Sequence, residues 1–487
     1  MSKKKYFIFS ASKIFILQII SRAISFWVFI YLARILGVDS FGNFNYILSL
    51  CALLSLFIDF GTNQLVVKII AEDTDSKSLL AFILINVSIL KLLQFIFGLI
   101  FIVLLDSKLM VYNFSIFNFI FLYTFFEGVG QICISVLNGR RQFLKANLFL
   151  FSYEILRSFL ILSSLFLIKK INYIPFIYVF CAFVYAFILL NKILNEYNLS
   201  FHLYDNKLEV IKKYFNRKNL FNYYKSSFYF FLSAIAYQLY FRVDIILMKH
   251  LSTEHELGLY STAYKFFDVF LFIPAIISGM IFPMVVQFYT KNSILKLQSF
   301  ITEIQITSCI LLSFIPVFII FFSDSIIKFF FGYSYDGSIK VLQLIFLTSY
   351  IYLYNLVYPI LFNATGNEKL GLYIYAIGFG FNFILNYFFI PQYGGISAAI
   401  ITLLSELLVT SLYVFFTKIR FNFPINVKAI VFLIIPVLFS LVKIIDFKFE
   451  WSVYKSTVYF IIFIFISIVI FYKHFYQILK LLKKNAF

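Results

Sequence analysis

The stretch KIFILQIISRAISFWVFIYLARILGVDSFGNFNYILSLCALLSLFIDFGTN, from Lys13 to Asn63, decides how the whole chain is read. An apolar run enters a short polar corner, Leu36-Gly37-Val38-Asp39-Ser40-Phe41-Gly42, and a second apolar run leaves it. Each run has about 20 residues or more, enough to cross a bilayer core of roughly 30 Å at about 1.5 Å per helical residue. Gly37 and Gly42 supply the backbone freedom that a tight corner needs. Arg22 sits near the middle of the first run and Asp59 within the second, both costly in lipid. A similar corner recurs between Lys249 and Tyr260: Leu36 maps to Leu251 with a shift of 215, and Gly42 to Gly258 with a shift of 216. The chain reads as one helical unit used twice.

Outward from that hairpin, composition sets the class. Of 487 residues 62% are hydrophobic and 13% charged, and the mean hydropathy is +0.94. A soluble domain carries about 25% charged residues, so the fold class is an all-α polytopic membrane protein. Apolar runs fall near 14–36, 44–69, 79–105, 111–137, 144–168, 172–194, 226–248, 257–285, 304–323, 339–362, 370–390, 395–417, 427–446 and 454–472, about fourteen transmembrane helices. An even count puts both termini on one side. With residues near span ends assigned to the adjoining loop, alternate loops hold 26 and 10 Lys and Arg, which places both termini in the cytoplasm. The basic Lys3-Lys4-Lys5 start leads straight into a full-length span, so the first helix is expected to act as its own insertion signal. The +19 formal charge punctuates loops and forms no patch, so no nucleic-acid partner is expected.

The one long connection, 195–225, carries Lys207, Lys212, Lys213, Arg217, Lys218 and Lys225. It is expected at the cytoplasmic surface, as an amphipathic helix on anionic membrane lipids or as a solvated linker. It divides an N-terminal six-helix half (1–194) from a C-terminal six-helix half (226–417), and 418–487 adds two further transmembrane helices. A second pair of corners, Leu137–Leu144 before span five and Phe362–Leu370 before span eleven, lies about 225 residues apart. The halves are therefore expected to be parallel repeats about an axis along the membrane normal.

Charge inside the spans marks where function should sit. Arg22, Lys91, Arg157, Arg242 and Lys265, with Asp59, Glu127, Glu154, Asp244 and Asp268, all fall in the first eight spans, and spans nine to fourteen contain almost none. Each costs about 2.5–3.5 kcal/mol at mid-membrane, so each should face protein or a wet cavity. Helical spacing gathers them into stripes: Gln18, Arg22 and Ser25; Ser55, Asp59 and Asn63; Ser233, Tyr237, Tyr240 and Asp244; Ser261, Lys265 and Asp268. Four such helices call for a common wet interior. Lys265 with Asp268, and Glu154 with Arg157, could instead neutralise one another at i, i+3. Asp59, Asp244 and Asp268 are candidates to bind a coupling ion, H+ or Na+. Pro274 and Pro283, with Gly279 between, should bend span eight, and Pro316, Pro359 and Pro436 should interrupt others. Cys51, Cys133, Cys181 and Cys309 lie in apolar runs and read as small buried side chains. Nucleophile, nucleotide and metal motifs are missing, so no catalytic residue, metal or cofactor is expected.

Ala33-Arg34-Ile35-Leu36-Gly37 with Phe41-Gly42, followed by Asp59-Phe60-Gly61, resembles the start of the Wzx-type polysaccharide flippases. Gly258-Leu259-Tyr260-Ser261-Thr262-Ala263-Tyr264-Lys265 with Pro274 and Pro283 resembles that family's eighth span, and Asn363-Ala364-Thr365-Gly366 its corner before span eleven. The resemblance implies the multidrug/oligosaccharidyl-lipid/polysaccharide exporter fold, two six-helix halves around a central cavity. It implies movement of undecaprenyl-diphosphate-linked oligosaccharide from the cytoplasmic to the outer leaflet of a bacterial inner membrane, for O-antigen lipopolysaccharide or capsule. Other polysaccharide-assembly proteins would be partners. Related flippases carry cationic side chains in spans one and eight, where Arg22 and Lys265 stand here; Gln18, Ser25 and Tyr237 would meet sugar hydroxyls. Two other readings are compatible with the residues. A drug or metabolite exporter on the same fold would use the acids, and a membrane polymerase or ligase would want a large outer loop that the chain lacks.

Overall fold

The computed structural model describes residues 3–63, 66–67, 70, 95–96, 100, 114–140, 142–167, 173–196, 217–445 and 452–485. Most of the expected span 79–105, with Lys91, and most of the 195–225 connection lie outside the described residues. Among the described residues every regular element is helical.

Helix α1 (Lys3–Asp59) contains the opening hairpin. Its apolar part, Ile16–Asp59, has 44 residues, which would be roughly 66 Å if straight, twice a hydrocarbon core. The chain turns within it at Gly37, whose φ of 73° and ψ of 171° would strain any residue with a Cβ. After it come α2 (Phe114–Gly139), α3 (Phe143–Leu167), α4 (Ile174–Glu196), α5 (Arg217–Leu251) and α6 (Glu254–Thr290). These are followed by α7 (Ile294–Leu312), α8 (Phe314–Phe321), α9 (Ser323–Phe330), α10 (Ser338–Asn355) and α11 (Val357–Ala364). The chain closes with α12 (Glu368–Phe421), α13 (Val427–Ile445) and α14 (Val453–Asn485). Helix α12 repeats the device of α1: its 54 residues break at Gly394 (φ 53°, ψ −136°), three positions after Pro391. Its two arms are the expected runs 370–390 and 395–417.

Two expectations are corrected. Span nine was expected from 304, but helix α7 already starts at Ile294, directly after a turn in which Asn292 takes φ 52°. Its first turns carry Lys296, Gln298, Ser299, Thr302 and Glu303, which hold the hydropathy down, and are helical all the same. Helix α6 runs as one helix past Pro274 and Pro283. Pro436, expected to interrupt span thirteen, lies inside the unbroken helix α13, whereas Pro316 and Pro359 each stand third in a newly started helix, α8 and α11. There the missing N–H costs no intrahelical bond.

The chain divides into two compact units, Met1–Leu32 with Tyr46–Leu239, and Ala33–Asn45 with Tyr240–Phe487. In the first, Cys133, Val136 and Leu137 of α2 share a core with Cys181, Tyr185 and Leu189 of α4 and Ala146 and Tyr153 of α3. All four cysteines are buried and free, as their apolar settings suggested. In the second, α10 is buried along nearly its whole length, with α6, α12 and α13 against it.

The corner 33–45 belongs to this second unit, and it meets the corner that repeats it. A Cβ on Gly42 would lie 2.7 Å from the Gly258 nitrogen, and one on Gly258 would lie 2.1 Å from the Val38 carbonyl oxygen. Backbone touches backbone because both residues lack side chains. Around this contact His255 Nδ1 lies 3.1 Å from an Asp39 oxygen, and Lys249 donates to Asn43 and Glu254. Tyr335 donates to the Ala33 carbonyl at 2.7 Å, and Arg34 caps the end of α9 through the Phe329 and Phe330 carbonyls. Overpacking of this kind costs about 1–3 kcal/mol. Gly258→Ala is therefore expected to lower the thermal unfolding temperature of the purified protein, whereas Gly279→Ala, with no atom within 4 Å of its Cβ, is not. Equal stability of the two variants would refute the close approach.

Candidate functional site

The stripe of span one is split by its neighbours. Gln18 Nε2 donates to Asn147 Oδ1 at 2.9 Å, and Ser25 Oγ to Glu154 Oε2 at 3.1 Å, both across a separation of 129 positions. A constant separation means that α1 and α3 run parallel in fixed register. Gln18 and Ser25 thus spend their polar groups on holding that register, and Arg22, between them, is exposed. Glu154 also pairs with Arg157, as the i, i+3 spacing allowed. The Arg157 guanidinium lies 5.1 Å from the Tyr153 ring centroid and 5.0 Å from that of Tyr178.

Asp59 ends the second arm of α1. Its Oδ1 accepts the Asn63 N–H at 2.9 Å and faces the Thr62 hydroxyl at 3.3 Å. Phe60 and Gly61 between them take φ of 47° and 71°. The carboxylate bonds the backbone across this reversal, a common local use of Asp.

In the second unit the acids are engaged differently. Arg242 Nη2 lies 3.1 Å from Asp268 Oδ2, and its guanidinium stands over the Tyr264 ring at 5.5 Å. Lys265, the next residue along, is half-buried. Tyr237 is 42% exposed, while Tyr240 and Asp244, further along the same helix, point into the unit. Asp244 is 1% exposed. Its Oδ2 accepts from the Tyr260 hydroxyl and faces the Thr402 hydroxyl at 3.2 Å, and its Oδ1 has no hydrogen-bond partner among the described residues. The Thr402 hydroxyl also lies 2.8 Å from the Ala398 carbonyl, and its one proton can serve only one of these acceptors.

Sequence reasoning missed Glu406. It lies in span twelve, where almost no charge was expected, and is 2% exposed. Tyr240 donates to its Oε2 at 2.6 Å, and Asn355 Nδ2 to its Oε1 at 2.9 Å. A lone Glu within the apolar run 395–417 was the available signal. Tyr240 and Asp244 are one turn apart on α5, and Thr402 and Glu406 one turn apart on α12. Two rungs, Tyr240 to Glu406 and Thr402 to Asp244, therefore join antiparallel helices. Among the described residues no cluster of three or more His, Cys, Asp or Glu could hold a metal ion.

Comparison with known proteins agrees with this architecture. A curated relative, a probable low-salt glycan biosynthesis flippase (Agl15) of Haloferax volcanii, is 25% identical over 430 residues, covering 85% of each chain. Among solved structures, the lipid II flippase MurJ in an inward closed conformation matches with a TM-score of 0.65 at 16% identity, over 95% of this chain and 99% of its own. An inward-facing multidrug resistance MATE transporter matches with a TM-score of 0.63 at 13% identity, over 82% and 94%. At these identities the structures establish a shared fold, that of the multidrug/oligosaccharidyl-lipid/polysaccharide exporters. The MatE family matches residues 230–388. The family described as polysaccharide biosynthesis protein matches residues 10–289, in accord with the resemblance carried by Ala33–Gly37 and Gly258–Lys265, and the chain belongs to that family.

Proposed function

We propose that the chain is a flippase that carries lipid-linked oligosaccharide across a membrane by alternating access. The observation that carries this reading is the family match over 10–289, supported by the glycan flippase relative along most of the chain. The finer reading is undecaprenyl-diphosphate-linked repeat units, moved to the outer leaflet of a bacterial inner membrane for O-antigen or capsule. It rests on about fourteen spans in two parallel halves, with 195–225 between them and both termini cytoplasmic.

A diphosphate and its sugars cannot cross hydrocarbon unaided, because buried charge and unsatisfied hydroxyls are too costly. Arg22 takes the diphosphate in this reading, since a guanidinium offers planar, multidentate donors. Its exposure between two register-holding contacts supports that role. Lys265 adds a second cation and Tyr237 a hydroxyl for sugar. Gln18 and Ser25 act through α3, by fixing the rotation of α1 and so the direction of Arg22. Of the three candidate acids, Asp244 is the one proposed to bind the coupling ion. Asp59 is used by a backbone turn and Asp268 by Arg242, whereas the Asp244 carboxylate is bonded by the Tyr260 and Thr402 hydroxyls, with one oxygen unpartnered among the described residues. H+ and Na+ both fit that chemistry.

Three outcomes test the reading. Arg22→Ala is expected to abolish surface polysaccharide at matched expression, with Arg22→Lys between it and wild type; full export by Arg22→Ala would remove Arg22 from the substrate site. Asp244→Asn is expected to remove the dependence of export on pH or Na+, and Asp59→Asn to keep it while lowering stability. Dependence surviving in Asp244→Asn would move the coupling site elsewhere. For topology, cytoplasmic reporters should be active when fused at residue 210 and at the C-terminus, and periplasmic ones near Ser338; a periplasmic signal at 210 would overturn the two-half arrangement.

A further inference from the structure

We propose that Glu406 is a second ion-binding site, specific for a proton, whose state is read by Tyr240 and Asn355 and passed along the ladder to Asp244. It rests on the transport reading above for its use, though not for its existence. Glu406 lies within an apolar helix and is 2% exposed. Its hydrogen-bond partners, Tyr240 and Asn355, are both neutral. An uncompensated carboxylate in such surroundings is costly, and two neutral donors relieve only part of that cost. Taking up a proton from water removes the charge.

The surroundings can accept either state. Asn355 donates through Nδ2 to Oε1, while its own Oδ1 is buried and has no hydrogen-bond partner among the described residues. An amide presents a donor on one side and an acceptor on the other. Rotated by half a turn, the same Asn355 would accept from the protonated carboxyl through Oδ1, with Nδ2 turned to the side that the oxygen now occupies. Tyr240 can likewise turn its hydroxyl from donor to acceptor. Each partner thus has one orientation for the carboxylate and another for the acid.

A proton fits better than a metal cation. A cation needs several oxygens converging on one point, whereas both carboxylate oxygens of Glu406 already face hydrogen-bond donors at 2.6 and 2.9 Å. The titratable groups around Glu406 are Tyr240 on α5, which bonds it, Tyr413 on its own helix, and Tyr375 on the first arm of α12, whose ring packs against both; Asp244 lies one turn along α5 from Tyr240. Tyr240 and Asp244 share a helix, as do Glu406 and Thr402. A change in how Tyr240 bonds Glu406 therefore bears directly on the Thr402–Asp244 rung.

The test uses the full-length protein in lipid nanodiscs and infrared difference spectroscopy, with the proton itself as probe and no glycan present. Wild type is expected to show the carbonyl stretch of a protonated, D2O-sensitive carboxyl that titrates over the pH range in which the protein stays folded. That band should be lost in Glu406→Gln and kept in Asp244→Asn. Tyr240→Phe and Asn355→Ala, which leave the carboxyl in place, should each shift its frequency and its midpoint. Identical spectra for wild type and Glu406→Gln, a band that ignores pH, or one that neither partner variant moves would overturn the proposal. Because the spectra need no substrate, failed glycan export in cells would count against the transport reading alone.

Discussion

A charge or hydroxyl among membrane helices has to find its partner in protein, and that requirement organises everything described above. Unpaired, such a group costs several kcal/mol in hydrocarbon, so each one fixes a neighbour. Ser25 and Glu154, with Gln18 and Asn147, hold α1 parallel to α3. Tyr240 with Glu406, and Asp244 with Thr402, hold α5 antiparallel to the second arm of α12. Apolar packing alone tolerates rotation of one helix against another. Polar rungs at matched spacing do not, because a slip of one residue would strand several buried groups at once.

The second organising element is the absence of side chains. Gly37 and Gly394 let two very long helical runs turn back, and Gly42 and Gly258 let two backbones approach to contact. Close approach at small residues is how membrane helices gain packing energy when lipid competes for every apolar surface.

Much of this was legible from residue order. The long apolar runs and the two corners are one-dimensional patterns, and Gln18, Ser25, Tyr240 and Asp244 stood out by helical spacing. What spacing could not say is which polar residue meets a neighbouring helix and which looks outward, since a stripe spans too wide an arc. Gln18 and Ser25 are half-buried and bond to α3, while Arg22, on the same stripe, is exposed. Asp59 looked like one member of a polar stripe because spacing does not show that the helix breaks at Phe60 and Gly61, directly after it. Glu406 was passed over because a single acid barely dents the hydropathy of its window. Its hydroxyl and amide partners, on α5 and α10, are 166 and 51 positions away in sequence.

The embrace of the two corners also bears on how the protein is made. Asp39 and His255 are 216 positions apart, and ribosomes extend chains at about 5–20 residues per second. Roughly ten to forty seconds pass between the emergence of the first corner and that of its mate. Through that interval Gly42 and Val38 present a bare backbone edge, with Arg34 and Asp39 beside it, to whatever the insertion machinery offers. The corner at Gly37 is thus made well before the partner that completes it. A nascent chain arrested before Gly258 would be left with that corner unclosed.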